Sequence, residues 1–269
     1  MLKSWVTTLY KILKKYKKRE QSRRAPSYSS ISEWYLSPLG RKVFEKEKSS
    51  SQNIISRLFG YHILQVGLDG NQELIGDSPA GNKIIFSPKW YSGVLRPVAN
   101  CESLPLASDT IDSIVLYHAL DFTNDSHELL REVTRVLRPG GQMLIIGFNP
   151  ISFWGVWRLL KRKKSLPWEG RFLSMNRLSD WLRLLNLQIT SADTSLHFLP
   201  FNINRVLKYA DSFEKLGQKL KSPFGGSYCI QCEKQVIPIT PIVSLSRRRR
   251  ITAAGSSVPI TENAKIKHY

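Results

Sequence analysis

The sequence predicts an α/β fold, a mostly parallel sheet of seven strands with helices on both faces. Three observations carry that expectation. Ile111 to Leu116 is a short apolar run of the kind that forms a buried parallel strand. Ser126 to Leu137 sets Leu129, Leu130, Val133, Val136 and Leu137 at helical spacings of three and four. Met143 to Phe148 is a second apolar run. Between helix and strand, Pro139-Gly140-Gly141 is expected to stop the helix, since proline cannot continue it and glycine supplies positive φ. Strand, helix and strand make a βαβ unit with a right-handed crossover.

From the N-terminus, residues 1 to 24 read as a basic amphipathic helix. Leu2, Trp5, Val6, Leu9, Ile12, Leu13 and Tyr16 share one stripe, with lysines around the rest. The pattern suits a helix lying in a membrane interface, and equally one that binds an acidic partner or RNA, or that caps its own domain. Ser27 to Ser30 reads as a linker. Ser32 to Lys48 is helical, with Trp34, Tyr35, Leu39, Val43 and Phe44 inward and Pro38 breaking it into a turn and a longer helix. A second short helix runs from Asn53 to Phe59 and ends at Gly60. His62 to Val66 is the first strand and Lys83 to Phe86 the second. Leu68 to Asn82 is too short for a full helical crossover, so a turn or two of helix at Asn71 to Ile75 is the most it allows. Val94 to Val98 is the third strand, and the fourth delivers Tyr117-His118 at its carboxyl end.

Asn149 and Ser152 are helix-start residues for a helix over 152 to 163. Trp154, Trp157, Leu159 and Leu160 are expected on one side of it and Lys161 to Lys164 at its end. It reads either as a surface helix or as a lid over an apolar substrate. Ser174 to Leu185 is a further helix, followed by strands at Leu187 to Ala192 and Tyr228 to Glu233. Beyond Lys234 the chain is Pro-, Ser- and Arg-rich without period, as in a disordered tail. The expected organisation is an amphipathic segment (1–26), cap helices (27–60), the α/β domain (61–234) and a basic tail (235–269).

Forty Lys and Arg against 21 Asp and Glu give a net charge of +19, concentrated in residues 3 to 24, Lys161 to Lys164 and Arg247 to Arg250. Such patches suit a membrane surface or an acidic polymer, reached through residues 1–24 and the basic tail. Three cysteines exclude a disulfide framework, and the Cys229-Ile230-Gln231-Cys232 pair has no second pair with which to hold zinc. It fits a strand whose residues three apart point to opposite faces. Neither a signal peptide nor a bilayer-spanning run is evident, so the expected location is cytoplasmic, peripheral to the membrane where the basic segments act.

Leu104-Pro105-Leu106, Asp109-Thr110-Ile111-Asp112, Tyr117-His118-Ala119-Leu120 and Arg135-Val136-Leu137-Arg138-Pro139-Gly140-Gly141 occur in that order. They resemble the core of class I S-adenosylmethionine-dependent methyltransferases of the ubiquinone and menaquinone biosynthesis type (methyltransferase type 11 like). Trp34 to Arg41, Phe59 to His62 and Gly147 to Pro150 further resemble a divergent proteobacterial branch of that superfamily. The resemblance implies a Rossmann-like fold, S-adenosylmethionine as cofactor, and a methyl acceptor that is small or hydrophobic.

It also implies a cofactor site, and the sequence departs from it three times. The family's first strand ends in an acid before a Gly-x-Gly-x-Gly turn. This chain has Gln65, then Gly67, with Asp69 and Asn71 at the next two glycine positions and Gly70 displaced by one. The first crossover is short. The second strand is followed by Ser87 where an acid usually binds both ribose hydroxyls. Losing that charge-assisted pair costs on the order of 2 kcal/mol, roughly thirtyfold in affinity. Asn100 stands where an acid accepts from the adenine amino group, and the Cys101 N–H can meet the ring edge. His118 lines the cavity or acts as a base, with Asp121 placed to orient it. The expected cofactor contacts are therefore Gly67, Asp69, Gly70, Ser87, Asn100, Cys101 and His118. The resemblance leaves two readings open: a working methyltransferase with a degenerate cofactor loop, and an inactive binding or regulatory module on the same fold.

Overall fold

Strand β3 (Ile111–Tyr117) is buried along its whole length, its two polar residues, Asp112 and Ser113, both being hydrogen-bonded. It lies at the centre of a six-stranded sheet of order β2-β1-β3-β4-β6-β5. The computed structural model describes residues 28–68, 71–88, 97–160, 166–200, 210–219 and 222–236. The amphipathic segment, Asp69, Gly70, Lys161 to Lys164 and the tail beyond 236 lie outside them. Strands β1 (His62–Gly67), β2 (Asn82–Phe86), β3 and β4 (Leu137–Phe148) pair in parallel. Strand β6 (Ser227–Lys234) runs antiparallel to both β4 and β5 (Leu187–Ser195).

Alternation along the strands builds two core layers. Val115, Tyr117, Ile146 and Cys229 face helices α1 (Tyr28–Leu36) and α2 (Pro38–Ile55). Ile114, Leu116, Ile145 and Cys232 face α4 (Ser126–Val136) and α6 (Met175–Leu184). The two cysteines thus lie in opposite layers, as the strand reading of their spacing requires, and burial pushes both thiols up to about 12. The short helix α3 (Ala119–Phe122) joins β3 to α4, α5 (Phe153–Leu160) follows β4, and α7 (Ala210–Lys219) precedes β6.

The structure refines several local expectations. The sheet has six strands among the described residues rather than seven. Of the expected third strand, Val94 to Arg96 lie outside the described residues, and Val98 forms a parallel bridge with Ser87. The first crossover holds one 3-10 turn, Ile75–Asp77, just beyond the expected site. Pro38 breaks the N-terminal helix as expected, with Ser37 accepting from the Gly40 N–H, but α2 then continues to Ile55, so no separate helix begins at Asn53.

Helix α4 ends at Val136, before Pro139-Gly140-Gly141 is reached. Its last carbonyls have tertiary partners instead: the N–H groups of Asp109 and Thr110 donate to Arg135 and Val136, and Lys234 Nζ donates to the carbonyls of Thr134 and Leu137. The Pro-Gly-Gly sits inside β4 as a bulge with Gly140 at φ 74°. A Cβ on Gly141 would lie 2.7 Å from Leu137 Cδ1. Finally, α5 buries Trp154 and Arg158 and exposes Leu159 and Leu160, so the four expected residues do not share a face.

Asp112 ties the entry of β1 to β3. Its Oδ2 accepts the N–H groups of Tyr61 and His62, both at 2.7 Å, and Arg138 pairs with its Oδ1. Gly60 packs on this carboxylate at φ +130°, and a Cβ there would stand 2.2 Å from Asp112 Cβ. Gly60→Ala is therefore expected to cost about 2–3 kcal/mol through strain at a glycine-only conformation. Urea unfolding measures it, and an unchanged midpoint would show that the turn relaxes freely.

Candidate active site

In open α/β sheets ligands bind outside the carboxyl ends of the strands, where the strand order reverses. Here the chain goes from β1 out to β2 and returns to β3 on the other side, so that point lies between β1 and β3. Gly67 pairs with Tyr117 in register at this edge. A Cβ on Gly67 would find no protein atom nearer than 3.7 Å, so packing does not demand glycine there.

The residues around Gly67 hold the first loop in place. The amide of Gln65 is fully buried. Its Oε1 accepts from the N–H groups of Leu74, at 2.9 Å, and Ile75, while its Nε2 donates to the Gln72 carbonyl. An ionised acid could accept those N–H bonds but could not donate to Gln72. The glutamine therefore pins a crossover too short to hold a full helix.

Ser87, at the end of β2, is buried, and its carbonyl accepts from Ala99 N–H at 3.2 Å. Asn100 is exposed, and its Oδ1 accepts the Glu102 N–H at 3.1 Å in a local turn. The Cys101 side chain turns into the core, where burial pushes its thiol up to about 11. Gly67 and Ser87 thus end neighbouring strands, and the loop of Asn100 and Cys101 follows the Ser87–Val98 bridge.

His118 follows β3 in a left-handed conformation, φ 51°, and its ring is fully buried. Nδ1 lies 2.8 Å from Asp121 Oδ2, and Nε2 lies 3.1 Å from both oxygens of Glu47. Asp121 is where the sequence placed it, orienting the ring. The same Oδ2 also accepts the Phe148 N–H, so it ties the ends of β3 and β4 together. Burial opposes a charged imidazole, yet the two carboxylates outweigh it and push His118 up to about 9. Tyr117 Oη donates to Glu47 Oε2 at 2.9 Å, and burial beside that carboxylate holds the phenol well above its usual range. Asp121 Oδ1 and Tyr228 Oη are buried with no hydrogen-bond partner.

Glu47 was not anticipated. The buried residues of α2 include Leu39, Val43, Glu47, Ser51 and Ile55, one every fourth residue. Extending the Leu39–Val43 spacing by four would have found it. Above this network Tyr35 and Phe44 each pack on Tyr117 with ring centroids 6.0 Å apart, and Trp34 meets Phe148 at 6.5 Å. The cap helices thus cover the edge at β3 and β4 with aromatic rings.

Residues 66–145 match the methyltransferase domain family. The uncharacterized protein YafS of Escherichia coli (strain K12) is 29% identical over 222 residues, 80% of this chain and 85% of that protein. The ubiquinone/menaquinone biosynthesis C-methyltransferase UbiE of Geotalea daltonii is 30% identical over 87 residues, a match spanning 32% of this chain and 36% of that protein. A solved SAM-dependent methyltransferase from Thermotoga maritima superposes with a TM-score of 0.57 at 19% identity, covering 77% of this chain and 96% of that one. The [4+2]-cyclase SpnF superposes at 0.51 with 13% identity, covering 80% and 98%. These likenesses to solved structures show the fold, and since one scaffold carries both a methyltransferase and a cyclase, the chemistry has to rest on the site.

Proposed function

We propose that this chain, which belongs to the class I S-adenosylmethionine-dependent methyltransferase superfamily, binds that cofactor outside β1 and β3 and methylates a small or hydrophobic acceptor. The observation that carries the reading is Gly67, a glycine at the point where the strand order reverses although a Cβ there would make only ordinary van der Waals contacts. A glycine there lets a ligand approach the backbone closely. In this reading Gly67 would stand beside the methionine and ribose parts, Ser87 toward the ribose, and Asn100 with the Cys101 N–H toward the adenine. The bound cofactor supplies an electrophilic methyl group. The chain's own contribution is binding, orientation and exclusion of water. The aromatic cover from Trp34, Tyr35 and Phe44 supports an apolar acceptor.

A second reading, an inactive module on the same fold, is favoured by Gln65. Its side chain pins the shortened loop through both its oxygen and its nitrogen, and Ser87 offers no charge to the ribose. Thermal unfolding with S-adenosylmethionine or S-adenosylhomocysteine separates the two. Ligand at about one hundred times its dissociation constant adds roughly 2.7 kcal/mol, a rise of about 5–10 °C for a domain of this size. The rise is expected to vanish in Gly67→Val, whose melting temperature without ligand should stay close to that of the wild type. No rise at millimolar ligand selects the inactive reading.

A further inference from the structure

Helix α5 is apolar on nearly every side, its only charged residue being Arg158. That residue is buried: its Nε donates to the Trp168 carbonyl and its guanidinium covers the Phe172 ring. Trp154 and Gly155 share this inward side. The opposite side holds Phe153, Val156, Leu159 and Leu160, which remain 65%, 53%, 59% and 67% exposed. At 100° per residue they span an arc of about 120° that contains no polar residue. A helix facing water carries polar residues on that arc.

The neighbouring loops extend the patch. Phe198 accepts the Trp154 indole N–H, and Asn149 donates to the carbonyls of Pro223 and Gly225. Leu199 and Phe224, each next in sequence to one of these partners, are exposed as well, as is Ile151 just before the helix. The sequence then continues directly into Lys161-Arg162-Lys163-Lys164.

We propose that the outer face of α5 docks on an anionic lipid bilayer, with its apolar side chains at the acyl boundary. Apolar area supplies the insertion and the adjoining basic run selects negatively charged lipid, the two terms that govern interfacial helices. Charge excludes the nearest alternative within the chain. The apolar stripe of residues 1 to 24 is itself rich in lysine, and like charge disfavours pairing it with a helix whose sequence runs on into Lys161 to Lys164. On one anionic surface both segments are satisfied together. This proposal does not depend on the cofactor reading.

Flotation of the full-length protein with vesicles tests it. Vesicles of phosphatidylcholine with about a third phosphatidylglycerol are compared with phosphatidylcholine alone, the anionic fraction being chosen to give a strongly negative surface. The wild type is expected to float with the anionic vesicles. The triple variant Phe153→Ser, Val156→Ser, Leu160→Ser is expected to partition at least about tenfold more weakly while melting at the wild-type temperature, because exposed side chains contribute little to the fold. Undiminished flotation of the triple variant overturns the proposal and leaves residues 1 to 24 or the tail as the anchor. A wild-type protein that ignores anionic vesicles also overturns it, as does one that proves to be an oligomer in solution and is dispersed by the triple substitution, since the face is then covered by a second copy.

Discussion

Replacing His118 with alanine is expected to destabilise the protein by about 3–5 kcal/mol near neutral pH, the range for breaking a buried ion pair from one side. Glu47 and Asp121 would be left facing each other across the vacated ring, both buried, with no cation between them. Asp121 would still accept the Phe148 N–H, and Glu47 would keep the Tyr117 hydroxyl. Neither bond neutralises a carboxylate. Glu47→Gln should be milder, since His118 keeps Asp121 and the amide still accepts from Tyr117.

The pH dependence separates this charge effect from a simple packing loss. His118 is raised from 6.5 unfolded to about 9 folded. Its contribution is fully present below pH 6.5 and is lost as pH rises through 9, a change of about 3 kcal/mol. Asp121 is also raised, chiefly by burial and against the bonds from His118 and the Phe148 N–H. It too binds its proton more tightly when folded, so it adds a loss of stability as pH rises above the usual carboxylate range. Urea melts from pH 6 to pH 10 should therefore show the gap between wild type and His118→Ala closing as alkali neutralises the ring. A gap that stays constant over that range would mean that the imidazole acts as a neutral hydrogen-bonding wedge.

The same network shows what could be read from sequence and what could not. His118 and Asp121 are three apart at the end of an apolar strand, so their approach follows from local chain geometry. Glu47 comes from a helix 71 residues away, inside the run Glu45-Lys46-Glu47-Lys48, where one glutamate looks like the next. Only the fourfold spacing of the buried face distinguishes it. The strands β1, β3, β4 and β6 were legible because each holds a cluster of apolar residues, such as Ile114 to Leu116 in β3 and Met143 to Ile146 in β4. The end of α4 was read to within one residue, at Leu137 for Val136, but its last carbonyls are taken up by Asp109, Thr110 and Lys234, none of them adjacent in sequence. A glycine motif three residues on offered a local explanation for a boundary that tertiary contacts set. Gln65 is the converse case. Judged against the acid usual in the family it looked like a loss, whereas its amide donates and accepts at once and so pins a loop that an ionised acid could not hold in the same way.

Trp154→Ala is expected to cost about 3–5 kcal/mol, the range for large aromatic truncations in a core. The indole is fully buried, stacked on Phe148 with centroids 6.0 Å apart and edge-on to Phe198 at 5.7 Å. Its Nε1–H donates to the Phe198 carbonyl at 2.8 Å. The backbone is shaped around it: a Cβ on Gly226 would stand 2.4 Å from Trp154 Cδ1. Trp154→Phe keeps most of the ring and abandons the carbonyl, so it should cost about 1–3 kcal/mol, the penalty for an unsatisfied buried acceptor. Phe153, one residue earlier on the same helix, provides the contrast. Its ring lies in solvent, and Phe153→Ser should change stability by no more than about 0.5 kcal/mol. Chemical unfolding of the three variants then tests the division of α5 into an anchoring side and a free side, on which its docking to lipid depends. Equal losses at 153 and 154 would place Phe153 in a covered interface, and the outer face of α5 could not then be open to a bilayer.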